Sequence, residues 1–422
     1  MKLHILTSLG LICAATVAQA ADAPAKKTDW TDAVKKALII YENPNTFVKK
    51  VNLSWREQFQ IASVQPNGSN GLHLKKGASP FNQEFRRSWI GVDVHTKTDT
   101  QFHVIGRIGG LPTRSTYPGG RTKRNFTYAG IYDAWVKQKI KSVQGLSVRA
   151  GKFSPKFTYD YNMSNAAIYT VERSALSNQY GLDTNWGVEF TYDHPNKQDS
   201  FYLQFMANDR ACNSKNLSHS DIYRDGRGLK GEFGWEDKFF TSMGAKHKYA
   251  VTENGFQSIS LEYMHDFDNS YGKARKGANY YGFGFKDALS LSHEYKRGKF
   301  LFISNLVASF EQIDGHGSNN IGLQLQPVYS ISPRVDLVFR YTGMTGDNAC
   351  KLGSDRYINT QTNAPAWVDS LHTFYFGVDL YASAINKNAA KLMFGAEYTT
   401  ARDGGRDCYN GWEYTAAVRW NF

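Results

Sequence analysis

The chain has 422 residues, a formal net charge of +12, 14% aromatic residues, 37 glycines and only 11 prolines. Its mean hydropathy of −0.49 excludes a bundle of membrane-spanning helices, and beyond the N-terminus no window holds the roughly 18 consecutive apolar residues that one span needs. The same composition suits a barrel in which only every second strand residue faces lipid.

The first 20 residues have the marks of a secretory leader: Lys2, an apolar run from Ile5 to Val17, and Ala18-Gln19-Ala20 as the cleavage site. The mature chain is expected to start at Ala21. Trp30, Ala33, Val34, Ala37, Leu38 and Tyr41 recur at helical spacing. They predict one amphipathic helix, capped by Asp29 or Thr28 and stopped at Asn43-Pro44. The expected layout is a leader over 1–20, a periplasmic segment with this helix over 21–46, and a barrel over 47–422. The helix is expected to pack on the periplasmic rim, or to act as a partial plug or subunit contact.

From Phe47 the apolar period changes to two. Strands are predicted near 48–64, 85–97, 100–108, 126–140 and 144–153. The next connection, 154–184, is long and weakly periodic, and carries Phe157, Tyr159, Tyr161 and Tyr169. Long connections without strands are usually functional or disordered, and so many aromatics favour the former. Strands resume near 185–193, 199–208, 255–267, 287–296, 299–312, 319–331, 334–344, 370–382, 391–401 and 411–422. Between Asn208 and Gly255 either one strand fits or two, over 228–236 and 239–249. An even number returns the last strand to the side where the first began, which favours one strand there and 16 in all, with 18 as the alternative. Short turns at Thr98-Asp99, Lys197-Gln198, Arg297-Gly298 and Ser332-Pro333 alternate with long loops, as in barrels with periplasmic turns and external loops. The last stretch puts Trp412, Tyr414, Ala416, Val418, Trp420 and Phe422 on one face and Glu413, Thr415, Ala417, Arg419 and Asn421 on the other. The predicted class is therefore all-β: a transmembrane antiparallel β-barrel with a short N-terminal helix.

Asp133-Ala134-Trp135, Gly151-Lys152-Phe153-Ser154-Pro155, Ser164, and Glu172-Arg173-Ser174 with Leu176 resemble the phosphate-selective porin O/P family. In that family a strand ending in a GKF- or GQF-like motif leads into a long loop with a Glu-Arg pair. Pro155 stands one residue earlier here. The resemblance implies a Gram-negative outer-membrane barrel, a homotrimer, and a third external loop that folds inward to narrow the pore. It also implies that the barrel-assembly machinery reads Phe422.

With the apolar faces outward, the inward basic residues are Lys50, Arg56, Arg87, Arg107, Lys137, Arg149, Lys246, Arg340 and Arg419. The inward acids are Asp133, Glu189, Glu262, Glu294, Asp336, Glu397 and Glu413. The loop adds Lys156 and Arg173 against Asp160, Glu172 and Asp183. The residues expected to line the pore and set selectivity are Arg56, Arg87, Arg107, Lys137, Arg149, Lys156, Arg173, Arg340, Arg419, Asp133 and Glu172. Basic rings favour anions and acidic rings cations, so this near-balanced wall predicts weak anion preference, with a phosphate- or polyphosphate-specific pore as the alternative.

The expected partners are outer-membrane lipid, lipopolysaccharide and small anionic or neutral solutes, with no nucleic acid and no cofactor. Of the cysteines past the leader, Cys350 and Cys408 are expected to pair across neighbouring loops, leaving Cys212. A barrel enzyme and a secreted glycan-binding sandwich are the competing classes. The 11 His are scattered and no GxSxG occurs, so the enzyme's nucleophile and base have no motif, and the sandwich would not need 16 amphipathic strands.

Overall fold

The computed structural model describes residues 29–67, 74, 80–109, 127–181, 184–207, 239–267, 285–310, 319–350, 352, 356–365 and 367–422. Helix α1 (Trp30–Ala37) and a short strand β1 (Ile39–Glu42) come first. The wall follows as β2 (Val48–Pro66), β3 (Phe81–Thr96), β4 (Thr100–Gly109), β5 (Thr127–Lys139), β6 (Leu146–Phe153), β7 (Asn185–Asp193), β8 (Asp199–Ala207) and β9 (Phe239–Thr252). It continues as β10 (Gly255–Asp266), β11 (Asp287–Arg297), β12 (Phe300–Phe310), β13 (Asn320–Ser332), β14 (Val335–Cys350), β15 (Val368–Tyr381), β16 (Ala390–Asp403) and β17 (Arg406–Asn421).

Each wall strand pairs antiparallel with the next, and β17 pairs with β2 from Gly411↔Pro66 to Asn421↔Arg56. Strands β2 to β17 close the ring, and β1 brings the sheet to 17 strands. Closure satisfies every strand edge, which an open sheet in lipid cannot do. Only one wall strand, β9, is described between β8 and β10, and the segment over 228–236 lies outside the described residues. Leu261 and Phe376 stand on the outer face at 55% and 54% exposure, as lipid-facing residues of a barrel should.

Helix α1 stops four residues short of Tyr41. Leu38 is its C-cap, and Ile39 to Glu42 instead pair with Asn52, Val51 and Lys50 of β2. β-Branched Ile39 and Ile40 favour an extended chain, and β2 offers a free edge there because β17 ends opposite Arg56. The helix is fastened to the short-turn end of the barrel. Asp29 accepts from Thr31 N at 2.9 Å and from Ser383 Oγ in the β15–β16 turn. Trp30 lies edge-on to Phe422 at 5.8 Å.

Three further short helices, α2 (Tyr159–Asn162), α3 (Ala175–Tyr180) and α4 (Arg356–Gln361), interrupt the long connections. The sequence periodicity gives no sign of them, because one to two turns are too few to show a period of 3.6. Segment 154–184 folds into the ring. Phe157, Leu176 and Tyr180 pack with Met206, Phe240, Met264 and Val307 from the inner wall. Helix α3 approaches β13 so closely that a Cβ on Gly322 would fall 2.3 Å from Leu176 Cδ1. The apolar core thus lies inside the ring, against one side of it.

Cys350 and Cys408 are free thiols, not a disulfide. Buried Cys350 accepts from Asn320 Nδ2 at 3.2 Å and donates to Asp369 O at 3.3 Å. Cys408 faces Arg406 O instead. Cys212 lies outside the described residues.

Candidate functional site in the barrel lumen

Alternation along the strands decides which polar groups point inward, and segment 154–184 decides which of those stay accessible. Its tip, residues 168–172, is held on all sides. Arg419 donates to Ile168 O and Val171 O at 3.3 and 3.1 Å. Lys391 donates to Ile168 O at 2.6 Å. Arg340 reaches Thr170 Oγ1 at 2.9 Å and Glu172 O at 3.0 Å. A hydrogen bond to a charged group contributes about 1.5–3 kcal/mol, against about 1–2 kcal/mol to order one residue's backbone. About one such bond per residue therefore fixes the tip. Further along, Thr158 N donates to Glu262 Oε2 and Tyr159 N to Asn305 Oδ1, and Ser174 Oγ meets Gln324 Oε1 at 2.6 Å.

Three of the residues expected to line the pore lie beneath this segment. Arg87, Arg340 and Arg419 point inward but are 3%, 1% and 1% exposed. Arg340 pairs with Glu397 at 3.2 Å, Arg419 also donates to Gln58 Oε1 at 2.9 Å, and Arg87 faces Gln58 and Glu172. A long guanidinium buried this far must spend its donors on fixed acceptors, so these three anchor the segment rather than face passing solutes.

The others stay in contact with water. Arg56, Arg107, Asp133, Lys137 and Arg149 are half-buried on β2 and β4 to β6, and Lys156, Glu172 and Arg173 are half-buried on the segment. Arg149 Nη2 and Lys156 Nζ share Glu189, at 3.0 and 3.2 Å. Arg149 also lies 3.9 Å over the Phe153 ring. Arg86 Nε and Arg87 Nη2 share Glu172, at 2.8 and 3.6 Å. Arg173 meets no carboxylate among the described residues. It donates to Asp160 O at 2.9 Å and lies 4.4 Å over Tyr161. Arg56 donates to Asn421 Oδ1 at 2.7 Å.

Two inward basic residues, Arg86 and Lys391, are absent from the sequence reading. Strict alternation turns Arg86 outward, but the register shifts between Gln58 and Phe59, and the bulge in β3 turns both Arg86 and Arg87 towards Glu172. Lys391 shares the inward phase of Glu397, so alternation could have found it. It is buried against Asp379 at 3.6 Å. Among the described residues no group of three or more His, Cys, Asp or Glu could hold a metal ion.

Residues 65–226 match the model of the family described as phosphate-selective porin O and P. No curated protein matches the chain. Among solved structures, OprB of Pseudomonas putida at high pH is similar with a TM-score of 0.53 and 11% identity, over 88% of this chain and 94% of that one. The outer membrane channel DcaP of Acinetobacter baumannii gives 0.52 and 12%, over 90% and 99%. An anion-selective porin from Comamonas acidovorans gives 0.50 and 9%, over 88% and 99%. At such identities these structures speak for the fold alone.

Proposed function

We propose that this porin-family barrel of the Gram-negative outer membrane, a solute channel rather than an enzyme, is a passive diffusion pore with weak anion preference. One observation carries the preference. On the accessible side of the lumen Glu189 is shared by two basic residues, Arg149 and Lys156, so that cluster keeps one positive charge in excess. Arg173, bound among the described residues only to carbonyls and a ring, adds another. Fixed positive charge along a narrow aqueous path raises the local concentration of anions and lowers that of cations. Segment 154–184 acts as the constriction, because it occupies the side of β8 to β17 and leaves solutes the side lined by Lys137, Arg149, Lys156 and Arg173.

A phosphate-specific pore is less well supported. Arg87, Arg340 and Arg419 would have to offer free guanidinium edges, and they are buried against Gln58, Glu172, Glu397 and backbone carbonyls. A homotrimer, contact with lipopolysaccharide and recognition of Phe422 by the assembly machinery belong to the same reading and draw support from the family match.

The test is the reversal potential of single channels in a KCl gradient. The wild type should show modest anion preference. Arg149→Glu and Arg173→Glu should each move it towards cations. A clear cation preference in the wild type, or an unchanged potential in both variants, would overturn the assignment.

A further inference from the structure

Over much of the ring the outer face of the wall is an apolar band. Met243, Leu261, Leu291, Leu306, Phe376 and Phe394 stand on it, all exposed. Two charged residues break this band. Alternation turns Glu57 and Lys152 outward, because Gln58 on β2 and Phe153 on β6 are buried inside the ring. Glu57 lies halfway along β2 and pairs with Ser88. Following the registers through β3, β4 and β5 to Ala134↔Lys152, and allowing for the tilt of the strands, brings Lys152 to nearly the same height. The two residues therefore mark opposite flanks of one face, β2 to β6. Outward positions between them include Ser88, Gly106, Ala134 and Ala150, small side chains over which another wall can come close. Glu57 stands beside the stacked rings of Trp55 and Trp420, and Lys152 beside Trp186. Lys152 meets no carboxylate among the described residues, and Glu57 Oε2 is turned back onto Ser88 Oγ at 2.8 Å. A lone charge at mid-depth on a lipid-facing wall is destabilising, so neither residue suits a wall bathed in lipid.

We propose that copies of this chain dock on one another through the outer face of β2 to β6, with Glu57 of one copy paired to Lys152 of the next. The inference rests on the homotrimer reading above and gives that assembly its contact face and its ion pair. Copies related by rotation about the membrane normal keep every residue at its own height and bring unlike flanks of such a face together. An acid on one flank and a cation on the other, at one height, are therefore complementary between copies although they stand well apart within one. Glu57 reaches its neighbour by a change of rotamer away from Ser88, and Lys152 by its long flexible stem. The tryptophans on each flank cover the pair. A lipid phosphate could answer Lys152 but would leave Glu57 unanswered, so a second copy of the chain fits both flanks where lipid fits one.

The test is a charge swap, read as the mass of the assembly by light scattering in mild detergent across a range of protein concentrations. Heat modification on gels checks that each variant still forms a barrel. The wild type should be an assembly of several barrels. Glu57→Lys and Lys152→Glu each set like charges face to face, and each should raise the concentration needed for assembly by on the order of tenfold or more. The double variant Glu57→Lys/Lys152→Glu faces unlike charges again and should recover most of that loss. The proposal is overturned if both single variants assemble as the wild type does, or if the double variant is no better than the singles. Loss in Lys152→Glu alone, without rescue, overturns it in favour of a lipid phosphate on Lys152. A wild type that is a single barrel overturns the homotrimer reading itself, whereas a wild-type assembly indifferent to the swaps overturns only the contact face.

Discussion

Thr158 shows how tightly the inner segment is held. Its φ of 67° and ψ of 152° fall in a region that glycine enters freely and a β-branched residue enters only under strain, at about 1–3 kcal/mol. Thr158 N is bound by Glu262, and Thr158 Oγ1 donates to Ser177 Oγ at 3.1 Å. Thr158→Gly should relieve the strain and lose one hydrogen bond of about 1 kcal/mol. Thr158→Ala loses the same bond and keeps the strain. The heat-modification midpoint of the folded barrel on gels should therefore fall for the alanine variant and hold or rise for the glycine variant. The reverse order would show that the backbone there is relaxed. Glu172 offers a second prediction at this scale. Glu172→Gln leaves Arg86 and Arg87 without their shared carboxylate, so the reversal potential should move further towards anions, opposite to Arg149→Glu. A shift towards cations would show that Arg86 does not face the pore. The inward phase of Arg149, Arg340 and Arg419 was legible from alternation alone. The inward turn of Arg86 was not, because a bulge has no marker in its own strand and depends on the register of the neighbour.

At the scale of elements, the strands were the most legible part, since each buries or exposes every second residue over at least eight positions. Most wall strand ends differ from the sequence reading by a few residues, with larger extensions at the external ends of β3, β14 and β17. There polar residues such as Asn82, Thr345 and Arg406 pair with neighbouring strands, and an alternation of apolar and polar residues no longer reports strand structure. Segment 154–184 was legible as a long connection without strands, but its route was not: its anchors come from strands far away in sequence, as for Lys391 and Ile168. The end of α1 was misplaced because Leu38 and Tyr41 fit the helical period, while the pairing of β1 with β2 is a tertiary fact. Helix α1 makes a pH-dependent prediction. Burial alone would raise the pKa of Asp29, but hydrogen bonds from Ser383 and Thr31 outweigh it and hold the carboxyl below its ordinary value of 3.8. A depressed folded-state pKa stabilises docking above the ordinary value, and that stabilisation is lost as pH falls through the folded one. A spin label at exposed Ala33 should therefore gain mobility as pH drops below that range, and Asp29→Asn should show the same gain at neutral pH. Equal mobility in both forms would mean that the cap does not hold the helix.

For the whole molecule, closure was legible from the even strand count, and the off-centre core was not. Nothing in the composition says that Phe157, Leu176 and Tyr180 pack against the inner wall of the ring. Phe422 joins this scale to the chain's end: it exchanges both backbone hydrogen bonds with Trp55, at 2.8 and 2.9 Å. Deleting it should lower the yield of assembled barrel, while the conductance of barrels that do form stays near that of the wild type. Normal yield would remove Phe422 from assembly.

The seam between β17 and β2 also fixes an order of events. Arg56 and Asn421, which meet across it, are 365 residues apart in sequence. No other neighbouring pair of wall strands waits so long for its partner, and contacts at such separation form slowly. Until the final strand arrives, the nascent sheet has two unsatisfied margins, β2 and whichever strand came last, each able to recruit a strand from another molecule. The time spent as an open sheet, more than the strength of the finished ring, then sets how much of this protein is lost to aggregation before it reaches the membrane.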